Sequence, residues 1–209
     1  MQIVVKANTE QKTTLQAMQW VDNLQFIWVE DSNYPADASA YFDFCFEEEG
    51  WAFENINSIP VFVNAVLKTS NDLPGNAIRM NAWSSFLNRP IWEIASSNDM
   101  LNQSALLILE KLGRKGILVP DEPGLIAVRI ISMIINEAYF ALEEEVSSKK
   151  EIDIAMKLGT NYPFGPFEWA GIIGLSKIAS LLQILYLKDE RYATAPALLQ
   201  ELAFQNTTN

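Results

Sequence analysis

The sequence predicts an α/β lobe built on a shortened doubly wound sheet, residues 1–120, followed by an all-α lobe, residues 121–209. Three observations carry that reading. Over the first lobe, short apolar runs rich in β-branched and aromatic residues alternate with helical stretches, as in a mostly parallel sheet with helices on its faces. From Asp121 onward only helical periodicities occur, and they begin and end at capping signals. With 49% apolar residues among 209, the chain can bury a sizeable core as one domain or as two small ones.

Residues 1–7 (MQIVVKA) read as a buried strand, followed by a polar turn and a helix over 11–21. By shape this opens a dinucleotide-binding unit. Ala7-Asn8-Thr9-Glu10-Gln11-Lys12 stands where G-x-G-x-x-G would be, so the glycines that let backbone approach a pyrophosphate are missing. Glu10 would repel phosphates, and Asn8 or Thr9 reads as an ordinary helix cap. Residues 24–29 (LQFIWV) form a second strand and 41–46 (YFDFCF) a third. Too little chain lies between them for the usual second crossover helix. Glu47-Glu48-Glu49 reads as a solvated helix start. Cys45 reads as a buried packing residue within the third strand, because no histidine exists to lower its pKa.

Residues 59–67 (IPVFVNAVL) form another strand, and 68–76 a polar loop. Residues 78–95 (IRMNAWSSFLNRPIWEIA) give strand, loop and strand. An amphipathic helix over 101–112 ends at Gly113, and 116–119 is a last short strand.

In the second lobe Asp121-Glu122-Pro123-Gly124 is a turn, with Pro123 placed at the first position of a helix running to residue 142. That helix is apolar around most of its circumference and therefore buried. Its Arg129 needs a carboxylate or helix-end carbonyls. Ser148 and Glu151 have capping-box spacing, and Gly159 is placed to end the following helix. In 162–169 (YPFGPFEW) the prolines and glycine fix a tight link whose aromatics cover a helical core. Residues 170–187 give two helical segments joined near Gly174, and Pro196 starts a final helix through Ala203.

Composition excludes several classes. A net charge of −11 argues against a nucleic-acid surface. With no histidine and one cysteine, a zinc site is excluded and the commonest general base is absent. No apolar run reaches the ~20 residues of a spanning helix, because Arg129 and Asn136 interrupt the longest one. The N-terminus shows no secretory signal, so a cytoplasmic, membrane-free protein is expected.

The ordered run DEPGLIAVRI…NEAYFALEEEVSSKKEIDIAMKLGTNYPFGPFEW resembles the C-terminal helical domain of the 3-hydroxyacyl-CoA dehydrogenases. That family reads D-x-P-G-F-I-x-N-R, N-E-A, D-I-D-x-A-M-x-x-G and Y-P-x-G-P-F-E. The resemblance implies a Rossmann-like first domain, NAD as cofactor, an acyl-CoA substrate and a homodimer formed through the helical domain. Met133, Tyr139, Phe164 and Trp169 are of the types enriched at interface centres. In the family a histidine takes the 3-hydroxyl proton as hydride leaves for the nicotinamide, and a glutamate holds that histidine.

Residues 78–95 are similar to the family's G-x-H-F-F-N-P-V-x-x-M-x-L-V-E-V-V. Glu93 matches the glutamate, and Asn81, twelve residues earlier, stands at the histidine. Ser84 rather than Asn88 falls at the loop asparagine. Val128 replaces the substrate-orienting asparagine of P-G-F-I-x-N-R, and Val66 a serine. The expectation is a cavity lined by Asn81, Val128 and Val66 that holds an acyl chain but aligns hydride transfer poorly. With the glycine fingerprint absent, NAD is expected to bind weakly or not at all. The catalytic positions are thus Glu93, Asn81 and Val128, with no cofactor-binding or metal residue. The competing reading is a non-catalytic acyl-CoA-binding or dimeric interaction module.

Overall fold

A computed structural model describes residues 1–30 and 33–208. The chain divides into two compact units, Met1–Ile126 and Ala127–Asn209.

The first unit is a Rossmann-like seven-stranded sheet. Its strands are β1 (Gln2–Lys6), β2 (Gln25–Trp28), β3 (Ala40–Asp43), β4 (Val61–Asn64), β5 (Ala77–Met80), β6 (Ile91–Ala95) and β7 (Lys115–Leu118). They lie in the order β2-β1-β3-β4-β5-β6-β7, and every neighbouring pair is parallel except β5 with β6. Every residue of β3, β4 and β5 is buried, because a parallel sheet is covered on both faces.

On one face α1 (Thr9–Ala17) and α3 (Asp99–Lys111) place Leu15, Ala105 and Leu109 against Ile3, Phe42, Phe62 and Trp92. Phe42 and Phe62 stack at 4.7 Å. The other face buries Tyr41, Phe53, Val61 and Val63. After β2 the chain crosses to the far side of β1 with no helix among the described residues of 29–39. The order of strands therefore reverses between β1 and β3, where Lys6 pairs in register with Asp43.

Several boundaries differ from the sequence expectation, each for a local reason. The first helix stops at Ala17, where Trp20 folds back to donate to the Leu15 carbonyl at 2.8 Å. Strand β3 ends at Asp43, so Cys45 lies outside it and precedes a short helix, α2 (Phe46–Glu49). The loop after β4 contains a 3₁₀ turn, Ser70–Asp72. Pro123 is not helical. Gly124 and Leu125 both take positive φ, and the Gly124 amide is bound to the Val66 carbonyl, so the helix starts only at Ala127.

The second unit comprises α4 (Ala127–Glu143), α5 (Lys149–Thr160), α6 (Pro166–Ile173), α7 (Leu175–Tyr186) and α8 (Pro196–Thr208). Helix α4 packs against α6, α7 and α8. Ile131, Ile135, Tyr139, Trp169, Ile178 and Leu182 are buried. Ser148 and Glu151 form the expected capping box at the start of α5. Gly159, however, stays inside that helix, and Asn161 supplies the left-handed cap at φ 57. Arg129 donates to the Tyr192 hydroxyl at 2.8 Å and lies 5.1 Å over that ring, a phenol in place of the expected carboxylate or helix-end carbonyl. The final helix extends five residues beyond Ala203, to Thr208. No single helix among the described residues is long and apolar enough to cross a membrane. Helices α6 and α7 would qualify together, but they are bent by 98° at their junction.

The YPFGPFEW link is built around Asp153. Its Oδ1 accepts the Phe167 amide at 2.8 Å, and Gly165 lies against it so closely that an added Cβ would stand 2.5 Å from the Asp153 Cα. Tyr139 meets Phe167 edge-on at 4.9 Å, and Trp169 meets Tyr162 at 5.4 Å and Phe164 at 6.1 Å. These aromatics serve the packing of the unit itself. Gly165→Ala should therefore destabilise the protein by about 1–3 kcal/mol through overpacking against backbone. Gly171→Ala, with open space around it, should cost far less. Thermal melts of the two variants check this, and equal melting temperatures would show that the Asp153 contact yields freely.

Candidate functional site

The antiparallel register Arg79↔Ala95 and Met80↔Ile94 carries one step further to place Asn81 opposite Glu93. The fold thus brings together the two positions, twelve apart in sequence, that were singled out. Both line one small pocket with Phe86, Arg89, Ile91 and Trp92, about 10 Å³ in volume, the room of roughly one water. Asn81 is 8% exposed, and its Oδ1 accepts the Trp83 amide at 2.9 Å. Glu93 Oε2 accepts the Ile126 amide at 3.1 Å. Val66 and Val128 are fully buried, in the first and second units respectively. That pocket by itself has no room for an acyl chain.

Glu47 overturns the expectation of a solvated acidic run. It is half-buried, with Oε1 accepting the Leu67 amide at 2.7 Å and Oε2 accepting the Trp83 indole N–H at 2.6 Å. Burial raises its pKa, against the lowering effect of those two donors. Trp83 therefore links Asn81 to Glu47. The sequence held one clue to this pairing: a glutamate four residues beyond a buried strand has early access to strand-end amides.

Arg79 is the other residue that the sequence reading passed over. It stands at the glycine of the family's G-x-H motif, two residues before Asn81, and is completely buried. Its Nε donates to the Ala65 carbonyl at 3.0 Å, its Nη2 to the Val66 and Glu122 carbonyls, and its Nη1 to Asp121. An arginine in the otherwise apolar AIRM strand was the available signal.

The β1–α1 turn is closed by its own side chains. Asn8 caps α1, with its Oδ1 accepting the Gln11 amide at 2.9 Å while Gln11 Oε1 accepts the Asn8 amide at 3.0 Å. Gln11 Nε2 reaches on to the Phe44 and Ala82 carbonyls. No residue from 7 to 12 has a positive φ. Two amides that a pyrophosphate would need at a helix N-terminus are thus already engaged. Beside the turn, at the carboxyl ends of β1 and β2, lies a cleft of about 870 Å³ lined by Lys6, Val29, Glu30, Tyr34, Trp51 and Glu54. Lys6 is paired there with Glu49 at 2.8 Å.

Behind this cleft Asp43 has no exposed surface. Oδ2 accepts the Ala52 amide at 3.0 Å and Oδ1 has no partner. Burial pushes its pKa up to about 6 despite that amide and nearby Lys6. Burial, with Glu49 and Asp43 close by, also pushes the Cys45 thiol up to about 11, so it is not a nucleophile near neutral pH. No group of three or more metal-ligating side chains occurs among the described residues.

Residues 124–208 match the family profile of the 3-hydroxyacyl-CoA dehydrogenase C-terminal domain. The chain is 36% identical over 114 residues to the 3-hydroxyadipyl-CoA dehydrogenase of Escherichia coli, covering 54% of this chain and 24% of that protein. It is 30% identical over 155 residues to the probable 3-hydroxybutyryl-CoA dehydrogenase of Deinococcus radiodurans, covering 72% of this chain and 55% of that one. The chain therefore spans between about a quarter and just over half of these relatives' lengths. Its fold matches the crystal structure of an (S)-3-hydroxybutyryl-CoA dehydrogenase from Ralstonia eutropha with a TM-score of 0.74. The two are 17% identical over 98% of this chain and 94% of that one.

Asp43 makes stability depend on pH. Its folded pKa lies above the unfolded value of 3.8, so its contribution is fully present below about pH 4 and is lost as pH rises through about 6. Relative to Asp43→Asn, the native chain should lose on the order of 2 kcal/mol between pH 4 and pH 8. Urea denaturation at the two pH values measures the difference, and parallel profiles for the two proteins would refute the assignment.

Proposed function

We propose that this member of the 3-hydroxyacyl-CoA dehydrogenase family belongs to acyl-CoA metabolism but has lost, or nearly lost, NAD-dependent hydride transfer. The observation that carries the proposal is Asn81 facing Glu93 in a pocket of one-water size. A carboxamide has no basic lone pair near neutral pH, so it can hold a hydroxyl by hydrogen bonding but cannot take its proton. Losing a positioned general base forfeits about 10²–10⁴ in rate. Glu93, left without an imidazole to orient, holds the Ile126 amide.

The closed β1–α1 turn supports the same reading for the cofactor. A bound NAD needs the pyrophosphate close to backbone, and here Asn8 and Gln11 engage each other's amides while Glu10 adds a like charge in the first turn of α1. The residues present do not fit the dinucleotide. What remains is a protein that binds an acyl-CoA without oxidising it.

Exposed apolar side chains on the second unit favour a homodimer formed through it. Ile130 is 52% exposed, and Leu158 and Leu187 are each 82% exposed. A two-fold contact is the commonest way to cover such a surface.

Two measurements test these readings. Titration calorimetry should show no NAD binding at micromolar concentration, and turnover of 3-hydroxyacyl-CoA should stay undetectable in both the native chain and Asn81→His. Restored turnover from that one change would mean that the rest of the site is intact, and the loss-of-function reading would fall. Light scattering should give twice the 23.5 kDa chain mass, reduced by Ile130→Asp, whereas a native monomer would exclude the dimer.

A further inference from the structure

On the sheet face opposite the Lys6 cleft, a second cleft of about 720 Å³ opens between the end of α1, the loop before β6 and the turn before β7. Its volume lies within the range of small-molecule sites. Thr13, Thr14, Met18, Asn88, Pro90 and Arg114 line it.

Arg114 is the unusual member. Its guanidinium lies 4.4 Å over the Trp20 ring and 6.0 Å from that of Trp92. Nη2 donates to the Gln19 carbonyl, but Nε is buried with no acceptor. No carboxylate among the described residues pairs with it. In a chain of net charge −11, a half-buried cation without an anionic partner stands out. Arg79, the fully buried arginine of this unit, meets four acceptors. Burial alone depresses the Arg114 pKa, with no anion acting against it. A guanidinium positioned over an indole, with its Nε–H unmet and no anion paired to it, is pre-organised for a planar, two-oxygen acceptor.

We infer that this cleft binds a small organic carboxylate, with its two oxygens on Arg114 and a short apolar tail along Met18 and Pro90. A dianionic phosphate suits it less, since only one cation lines the cleft and the whole chain is acidic. The hydroxyls of Thr13 and Thr14 already donate to the Thr9 and Glu10 carbonyls, so toward a ligand they act as acceptors. A free acid and the C-terminal carboxylate of a peptide share this recognition chemistry.

The test is nitrogen-detected NMR of the Arg114 side chain and the Trp20 indole during titration with hexanoate, hexanamide, inorganic phosphate and an acetylated tripeptide with a free C-terminus. Hexanoate or the tripeptide should shift both signals saturably, and whichever binds more tightly identifies the source of the carboxylate. Arg114→Gln should abolish the effect. Arg114→Lys, which keeps the charge but drops the fork, should weaken it about tenfold or more and serves if the glutamine variant does not fold. Hexanamide matching hexanoate, phosphate saturating at the same concentration, or no saturable shift from any probe would each overturn the assignment.

Discussion

A guanidinium with no exposed surface organises the first unit. A charge removed from water must meet acceptors on every side, or its burial costs several kcal/mol. Arg79 meets that condition by reaching from β5 to the carbonyls that follow β4, Ala65 and Val66, and to Asp121 and Glu122 in the turn that leaves the sheet. The same groups carry further bonds. Asp121 accepts the Ser70 amide, and the Val66 carbonyl accepts the Gly124 amide. Two loops, the one after β4 and the one after β7, are therefore tied to one side chain, and the turn at 121–125 takes its left-handed residues because its backbone is held in place before α4 begins.

This lock occupies the neighbourhood where the family resemblance places hydride-transfer chemistry. Beside it, Asn81, Trp83 and Glu47 form a second hydrogen-bonded chain that ends on the Leu67 amide. Asn81 and Glu93 share a pocket of about 10 Å³ beside it. The chain contains no histidine that could join them. The lone glutamate common to this chain and the family motif is likewise engaged by backbone, at Ile126.

The second unit tells a different story from the same principles. Its signature residues have packing reasons that do not depend on catalysis. Asp153 needs Gly165 beside it, Pro166 opens α6, and the aromatics of YPFGPFEW pack among themselves and on Tyr139. Packing alone is therefore reason enough for the helical domain to keep its sequence likeness to the family profile.

Local signals in the sequence determined the alternation of strands and helices, the short connection between β2 and β3, the Ser148–Glu151 box and the twelve-residue spacing of Asn81 and Glu93. Each of these depends on neighbours along the chain or on residue chemistry alone. Tertiary structure decided what depends on distant partners. Glu47 became an internal acceptor because Trp83 and Leu67 converge on it. The start of α4 slipped to Ala127 because the Gly124 amide found Val66. Arg114 acquired its aromatic bed because Trp20 and Trp92, 72 residues apart, meet edge-on at 6.1 Å. Burial and long-range hydrogen bonds set those outcomes, and neither is written in the periodicity of a single segment.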